Sequence, residues 1–219
     1  MATITDLTGA AGRLEAVLEP PVDGRADGDI RGAVVFAHPH PQFGGTMHTK
    51  AVYQGAKGLS RIGCAVLRFN FRGVGQSEGQ FDQGDGEKQD FSAATDYMAT
   101  RYPGARIWAA GFSFGAWVAL EAGAADDRVS ALIGIAPPVA TSVSGMQYSF
   151  PLTLESTKPK FFVQGEADEV CPLEGLWRFY GQLKEPKEIV VIDGADHLFE
   201  GKTTEVGEAL EDLLGDYEG

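Results

Sequence analysis

The chain has 219 residues, 43% of them hydrophobic, which supports one buried core and argues against a disordered chain. Its formal net charge of −13 opposes phosphate backbones and anionic lipids, so neither nucleic acid nor a membrane is an expected partner. The two cysteines, Cys64 and Cys171, are too few for a disulfide framework and lack the CxxC spacing of a structural zinc site.

The N-terminal stretch "MATITDLTGAAGRLEAVLEP" has no basic start and no uninterrupted apolar run. It does not read as a signal peptide, no segment approaches the length of a membrane span, and the expected location is the cytoplasm. Within it, "RLEAVLEP" (13–20) alternates like an antiparallel edge strand, and "PPVDGRADGDIRG" (20–32) reads as a loop. Six short apolar runs follow: "GAVVFAH" (32–38), "CAVLRFNF" (64–71), "RIWAAGF" (106–112), "ALIGIAP" (131–137), "KFFVQG" (160–165) and "EIVVID" (188–193). None alternates, so both faces of the sheet are covered, as in a parallel sheet between helices. Helical patterns fill the gaps at about 47–61, 87–101, 114–124, 173–184 and 203–214. The alternation predicts one doubly wound, mostly parallel α/β domain over residues 1–219. In such a sheet the chemistry belongs at the C-terminal ends of the strands.

One motif sits where that rule directs. "GFSFG" (111–115) follows a predicted strand and precedes the helical run "AWVALEAGA". It matches the G-x-S-x-G nucleophile elbow in its required context. Glycine at 111 and 115 removes the Cβ atoms that a sharp strand-to-helix turn would crowd. Ser113 is the candidate nucleophile, and the backbone N–H of Phe114, at a helix N-terminus, is a candidate oxyanion donor.

A serine hydroxyl needs a base, and the base needs an acceptor to orient it. Of four histidines, His38, His40 and His48 precede Ser113, and only His197, in "DGADHLF", follows it. His197 is therefore the candidate base in the order serine, acid, histidine. The acid comes from "FFVQGEADEVCP": Asp168 is preferred over Glu166 and Glu169, and over Asp193 and Asp196, which lie beside the histidine in sequence. After the first core strand, "AHPHPQFGGTM" offers a second oxyanion donor. Pro39 and Pro41 have no N–H, which leaves the backbone N–H of His40. The His-x-His spacing also admits a metal, with His48 as the next ligand on a predicted helix, but the remaining ligands are lacking. No metal and no cofactor are expected. "FNFRGVGQSEG" (69–79) reads as a loop that supports the elbow.

Together these segments resemble the α/β-hydrolase superfamily over nearly the whole chain. "AHPHPQFGGTM", "FNFRGVGQSEG" and "GFSFGAWVA" look like a group of small bacterial serine hydrolases without a cap, related to dienelactone hydrolases and to serine peptidases of the fold. Asn70 stands where many relatives have aspartate, and dienelactone hydrolases proper carry a cysteine at the position of Ser113. The resemblance implies Ser113, Asp168 and His197 as nucleophile, acid and base, with loop amides near His40 and at Phe114 as the oxyanion hole. The expected activity is hydrolysis of small carboxylic esters through an acyl-enzyme, by a monomer or small homo-oligomer. An amidase or aminopeptidase and an acyltransferase are alternatives on the same residues, and a non-catalytic binding module is a further one. The interval between Pro137 and Lys160 is too short for a multi-helix lid. A shallow cleft is expected, walled by Phe43, Phe71, Met146 and Tyr148 and favouring acetyl to butyryl esters.

Overall fold

The computed structural model of the protein describes residues 1–22, 24, 29–139, 142–143 and 146–217. Parts of the predicted loop 20–32 and of the segment after Pro137 lie outside the described residues. Among the described residues, eight strands form one sheet: β1 (Ala2–Ile4), β2 (Ala16–Glu19), β3 (Ala33–Ala37), β4 (Ala65–Phe69), β5 (Ile107–Phe112), β6 (Val129–Ile135), β7 (Lys160–Gly165) and β8 (Lys187–Ile192). Their spatial order is β1-β2-β4-β3-β5-β6-β7-β8. β1 and β2 pair antiparallel at one edge, and every pairing from β4 to β8 is parallel.

Among the described residues there are six α-helices: α1 (Lys50–Arg61), α2 (Asp85–Arg101), α3 (Phe114–Ala125), α4 (Pro151–Glu155), α5 (Leu173–Tyr180) and α6 (Thr203–Leu214). α1 and α6 pack on one face, over Val34, Phe36, Val66 and Trp108. α2, α3 and α5 pack on the other, over Val35, Leu67, Phe69 and Ala109. Each central strand thus sends side chains into two dry layers, which is why its sequence reads as an unbroken apolar run. No helix among the described residues is long and apolar enough to cross a membrane.

The observed elements differ from the sequence expectation mainly at their ends. α1 starts at Lys50 rather than about residue 47, because Met47 is held elsewhere. Its N–H donates to Asn70 Oδ1 (2.8 Å) and its carbonyl accepts from Arg68 Nη1 (2.5 Å). α2 starts two residues early, at Asp85, where the Glu87 carboxylate accepts the N–H groups of Gly84 (2.7 Å) and Asp82 (3.0 Å). α5 stops at Tyr180, and the chain turns through N–H bonds from Gln182 to Phe179 O and from Leu183 to Tyr180 O. The edge strand β1 was not foreseen, since three residues carry too little pattern. Between β6 and β7 the described residues form a two-residue ribbon (Ser142–Val143 with Met146–Gln147) and α4, with no helical cap domain.

α1 and α6 meet backbone to backbone. A Cβ on Gly58 would lie 2.2 Å from Gly207 O. Gly58→Ala should therefore push the two helices apart and cost about 1–3 kcal/mol, as overpacking does, read as a lower urea midpoint with little change in slope.

Candidate active site

Ser113 joins β5 to α3 with φ 53° and ψ −120°, a conformation that side chains rarely adopt. The turn is tight enough to forbid side chains on both flanks. A Cβ on Gly111 would sit 2.1 Å from Gly115 O, and one on Gly115 would sit 2.3 Å from His38 O. The Ser113 N–H donates to Ile135 O of β6 (2.8 Å), and its carbonyl accepts the N–H groups of Ala116 and Trp117 to start the helix. Phe114 is the first helical residue, so its N–H has no carbonyl of a preceding turn to meet.

The structure brings Ser113, His197 and Asp168 together from three strand ends. His197 Nε2 is 3.0 Å from Ser113 Oγ, and His197 Nδ1 is 2.8 Å from Asp168 Oδ2. The loops after β7 and β8 hold this spacing. Ala167 N–H donates to Ala195 O (2.9 Å), and Gly165 approaches the same carbonyl so closely that a Cβ would lie 2.4 Å from it. The Asp168 carboxylate is buried, and all its contacts are donors. Oδ1 accepts the N–H groups of Val170 (2.9 Å) and Cys171 (2.7 Å), while Oδ2 accepts from Gln164 Nε2 (2.9 Å) beside His197. Those bonds fix its orientation. Glu166 and Glu169, the alternative acids, are exposed, and Glu166 accepts from Gly194 N–H (3.0 Å) instead.

Gln164 was not singled out from the sequence. It sits within the apolar run of β7, fully buried, and its Nε2 also donates to Cys171 O (2.8 Å). A polar residue inside a strand with both faces covered was the available signal. The two phenylalanines flanking Ser113 part company. The Phe112 ring lies 5.3 Å from the His197 ring and supports it from below, while Phe114 faces the other layer, against His40, Phe71 and Tyr148.

The loop after β3 is built from its two histidines. His38 is fully buried. Its Nε2 accepts the N–H of Phe71 (3.1 Å), so its proton rests on Nδ1 and is donated to Pro39 O (2.6 Å). Both nitrogens are thereby used, and His38 has none left for a metal. Burial lowers the His38 pKa to about 4, with the neighbouring His40 as a lesser cause acting the same way. His40 caps the turn Pro41–Phe43, its Nδ1 accepting from Gln42 N–H (3.2 Å), and burial lowers its pKa as well. A Cβ on Gly45 would lie 2.1 Å from Pro39 O, which makes this loop as close-packed as the elbow. His48 is exposed in the turn before α1.

The loop 69–79 is an anchor. Asn70 bridges Met47 N–H and the Glu15 carboxylate (2.8 Å to each). With Glu15 opposite, an amide fits where an aspartate would repel. Arg72 makes a two-pronged ion pair with buried Asp90 (3.0 and 2.8 Å), and Ser77 Oγ donates to Asn70 O (2.7 Å).

A cavity of about 340 Å³ opens beside Ser113 and His197, walled by Phe43, Phe114, Pro138, Tyr148, Val170 and Leu198. His40 lines it too. Phe43 and Tyr148 are thus where the sequence put them. Phe71 is not: it is wholly buried beneath the cavity, its ring edge-on to His38, Phe69 and Phe114. Met146 packs, partly buried, against the apolar core and does not reach the cavity wall. Burial pushes the Tyr148 phenol up to about 12, so it stays a neutral donor there.

Strand order, elbow and site define the chain as an α/β-hydrolase. A family model described as serine aminopeptidase, S33 matches residues 28–155, and the chain belongs to that family. The match takes in Ser113 and ends before Asp168 and His197. The uncharacterised Rickettsia prowazekii protein RP471 is 37% identical, over 81% of this chain and 76% of its own. An α/β serine hydrolase homologue from Coxiella burnetii is 37% identical over 97% of both chains, with a TM-score of 0.86. A lidless serine hydrolase from Xanthomonas campestris is 33% identical over 97% of this chain and 93% of its own, also with a TM-score of 0.86.

The His38 environment sets a pH limit. Its pKa is about 4 in the folded chain and 6.5 when exposed, so between these values the unfolded chain binds more protons. The contribution of this group to stability is full above pH 6.5 and falls as pH drops toward 4, by about 3 kcal/mol. Urea midpoints should drop across that window, and less steeply in His38→Asn. Equal slopes in both proteins would rule His38 out as the cause.

Proposed function

We propose that the protein is a serine hydrolase that cleaves small carboxylic esters through an acyl-enzyme. The observation that carries this reading is the run of hydrogen bonds from Ser113 through His197 to Asp168, 3.0 and 2.8 Å, at the mouth of an apolar cavity. Ser113 Oγ attacks the ester carbonyl as His197 Nε2 takes its proton. The Nδ1–H remains bonded to Asp168, which holds the productive tautomer and offsets the charge on the imidazolium. The backbone N–H groups of Phe114 and His40 receive the oxyanion, each worth about 3–4 kcal/mol in the transition state. His197 then protonates the leaving alcohol, and water reverses the sequence to free the acid.

The family's name favours a second reading, an aminopeptidase. Such an enzyme must hold a free ammonium, and among the described residues the cavity wall carries no carboxylate. Glu166, Glu169 and Glu174 are exposed and outside it, and Glu174 pairs with Arg178 (3.2 Å). The cavity lining supports an ester instead.

Both readings meet in one set of rates. Wild-type protein should cleave p-nitrophenyl esters and leave aminoacyl p-nitroanilides nearly untouched; the reverse preference would overturn the ester assignment. Along the ester series kcat/KM should rise about fourfold per methylene while the chain fits the cavity, from about 0.8 kcal/mol each. It should level off after short acyl groups. A steady climb to long chains would contradict a cavity of this size. Asp168→Asn should cost about 10⁴-fold, and Glu166→Gln should change little.

A further inference from the structure

One thiol at the site has no part in acyl transfer. The Cys171 thiol is buried, 3% exposed, on the loop that carries Asp168. Its Sγ, a carboxylate oxygen of Asp168 and a ring nitrogen of His197 all lie within 4.8 Å of one another. Beside it lies an unsatisfied buried atom, Gln164 Oε1, on the amide whose Nε2 donates to Asp168 Oδ2 and to Cys171 O. We propose that Asp168, Cys171 and His197 form a binding site for a soft divalent cation such as Zn²⁺, and that the bound ion disables Ser113.

Thiolate, imidazole and carboxylate are the ligand types zinc takes, whereas magnesium and calcium want oxygen alone. At metal–ligand distances of about 2.0–2.3 Å, tetrahedral neighbours stand about 3.3–3.6 Å apart. The Asp168–His197 separation of 2.8 Å is shorter than this, and the 4.8 Å limit of the cluster is longer. Placing the ion needs that hydrogen bond to open and the thiol to close in by about an ångström. His197 is the member of the cluster that lines the cavity. The ion replaces two protons. The thiol proton leaves to solvent, and the Nδ1 proton of His197 moves to Nε2. One proton is released per ion, and no electron is transferred. The dication then faces a carboxylate and a thiolate, so the buried site ends electrically neutral, which limits the cost of burying charge. With Nε2 protonated, His197 cannot accept a proton from Ser113, which is how binding silences the serine.

Cobalt(II) reads the site directly. Titrated into the intact protein, it should give a near-ultraviolet thiolate-to-metal absorption band that saturates at a single equivalent and is displaced by Zn²⁺. Cys64→Ala, at the N-terminal end of β4 and far from the site, should keep the band. Cys171→Ser and Cys171→Ala, each checked for fold by circular dichroism, should lose it. In parallel, Zn²⁺ should inhibit ester hydrolysis and EDTA should restore it. Each protein is scored against its own metal-free rate, and Cys171→Ser should weaken inhibition by more than the ~10–100-fold that loss of an outer-sphere partner costs. No band in the wild-type protein, or a band surviving in both Cys171 variants, overturns the proposal. So does Zn²⁺ inhibition unchanged in Cys171→Ser, which would place the metal on His197 alone. The absorption needs no turnover, so it stands or falls separately from the ester reading.

Discussion

The rest of the site depends on the backbone of Ser113. A residue with a side chain at φ 53° costs about 1–3 kcal/mol unless its surroundings hold it there. Here they do. β6 takes its N–H, α3 begins on its carbonyl, and Gly111 and Gly115 leave no room for any other path. That single turn lifts Oγ off the end of β5 toward His197 and sets the first free N–H of α3 beside it. A relaxed turn would lower the local strain and lose both placements together.

Around this turn, buried polar groups act as ties between loops. His38 joins the loop after β3 to the loop after β4, Asn70 joins both to the edge of the sheet, and Arg72 locks onto Asp90 of α2. Each has a partner on a different element, so each ties a loop position to another part of the fold as well as contributing stability. Asp168 follows the same logic with a charge. Donors from β7 and from its own loop surround it, and the one side of the carboxylate left over faces His197. The cavity beyond is apolar because the polar groups have been spent on positioning, and substrates are met by rings and aliphatic walls.

Much of this was legible in the sequence, for physical reasons. A parallel sheet covered on both faces leaves unbroken apolar runs, so all six central strands could be read, with ends shifted by a residue or two. The elbow could be read because the close approach permits only glycine at 111 and 115. Asp168 and His197 followed from chain order and strand ends. What failed was direction. Phe71 lies just past a strand end, where nothing in the residue type says whether the ring turns toward a cavity or into the core, and it turns inward. Met146 has the same ambiguity. Gln164 was hidden for the opposite reason: it is the polar exception within an apolar run, and only its contacts reveal why. His38 was legible as part of a loop and not as a buried tie, since burial of a histidine leaves no mark in its neighbours.

The central claim is that one hydroxyl, that of Ser113, is chemically activated. Incubation with a fluorophosphonate, followed by peptide mass spectrometry of the intact protein's digest, tests it most directly. The account predicts a single adduct, on Ser113, absent from Ser113→Ala. No adduct on a folded protein, or an adduct on another residue, would contradict it.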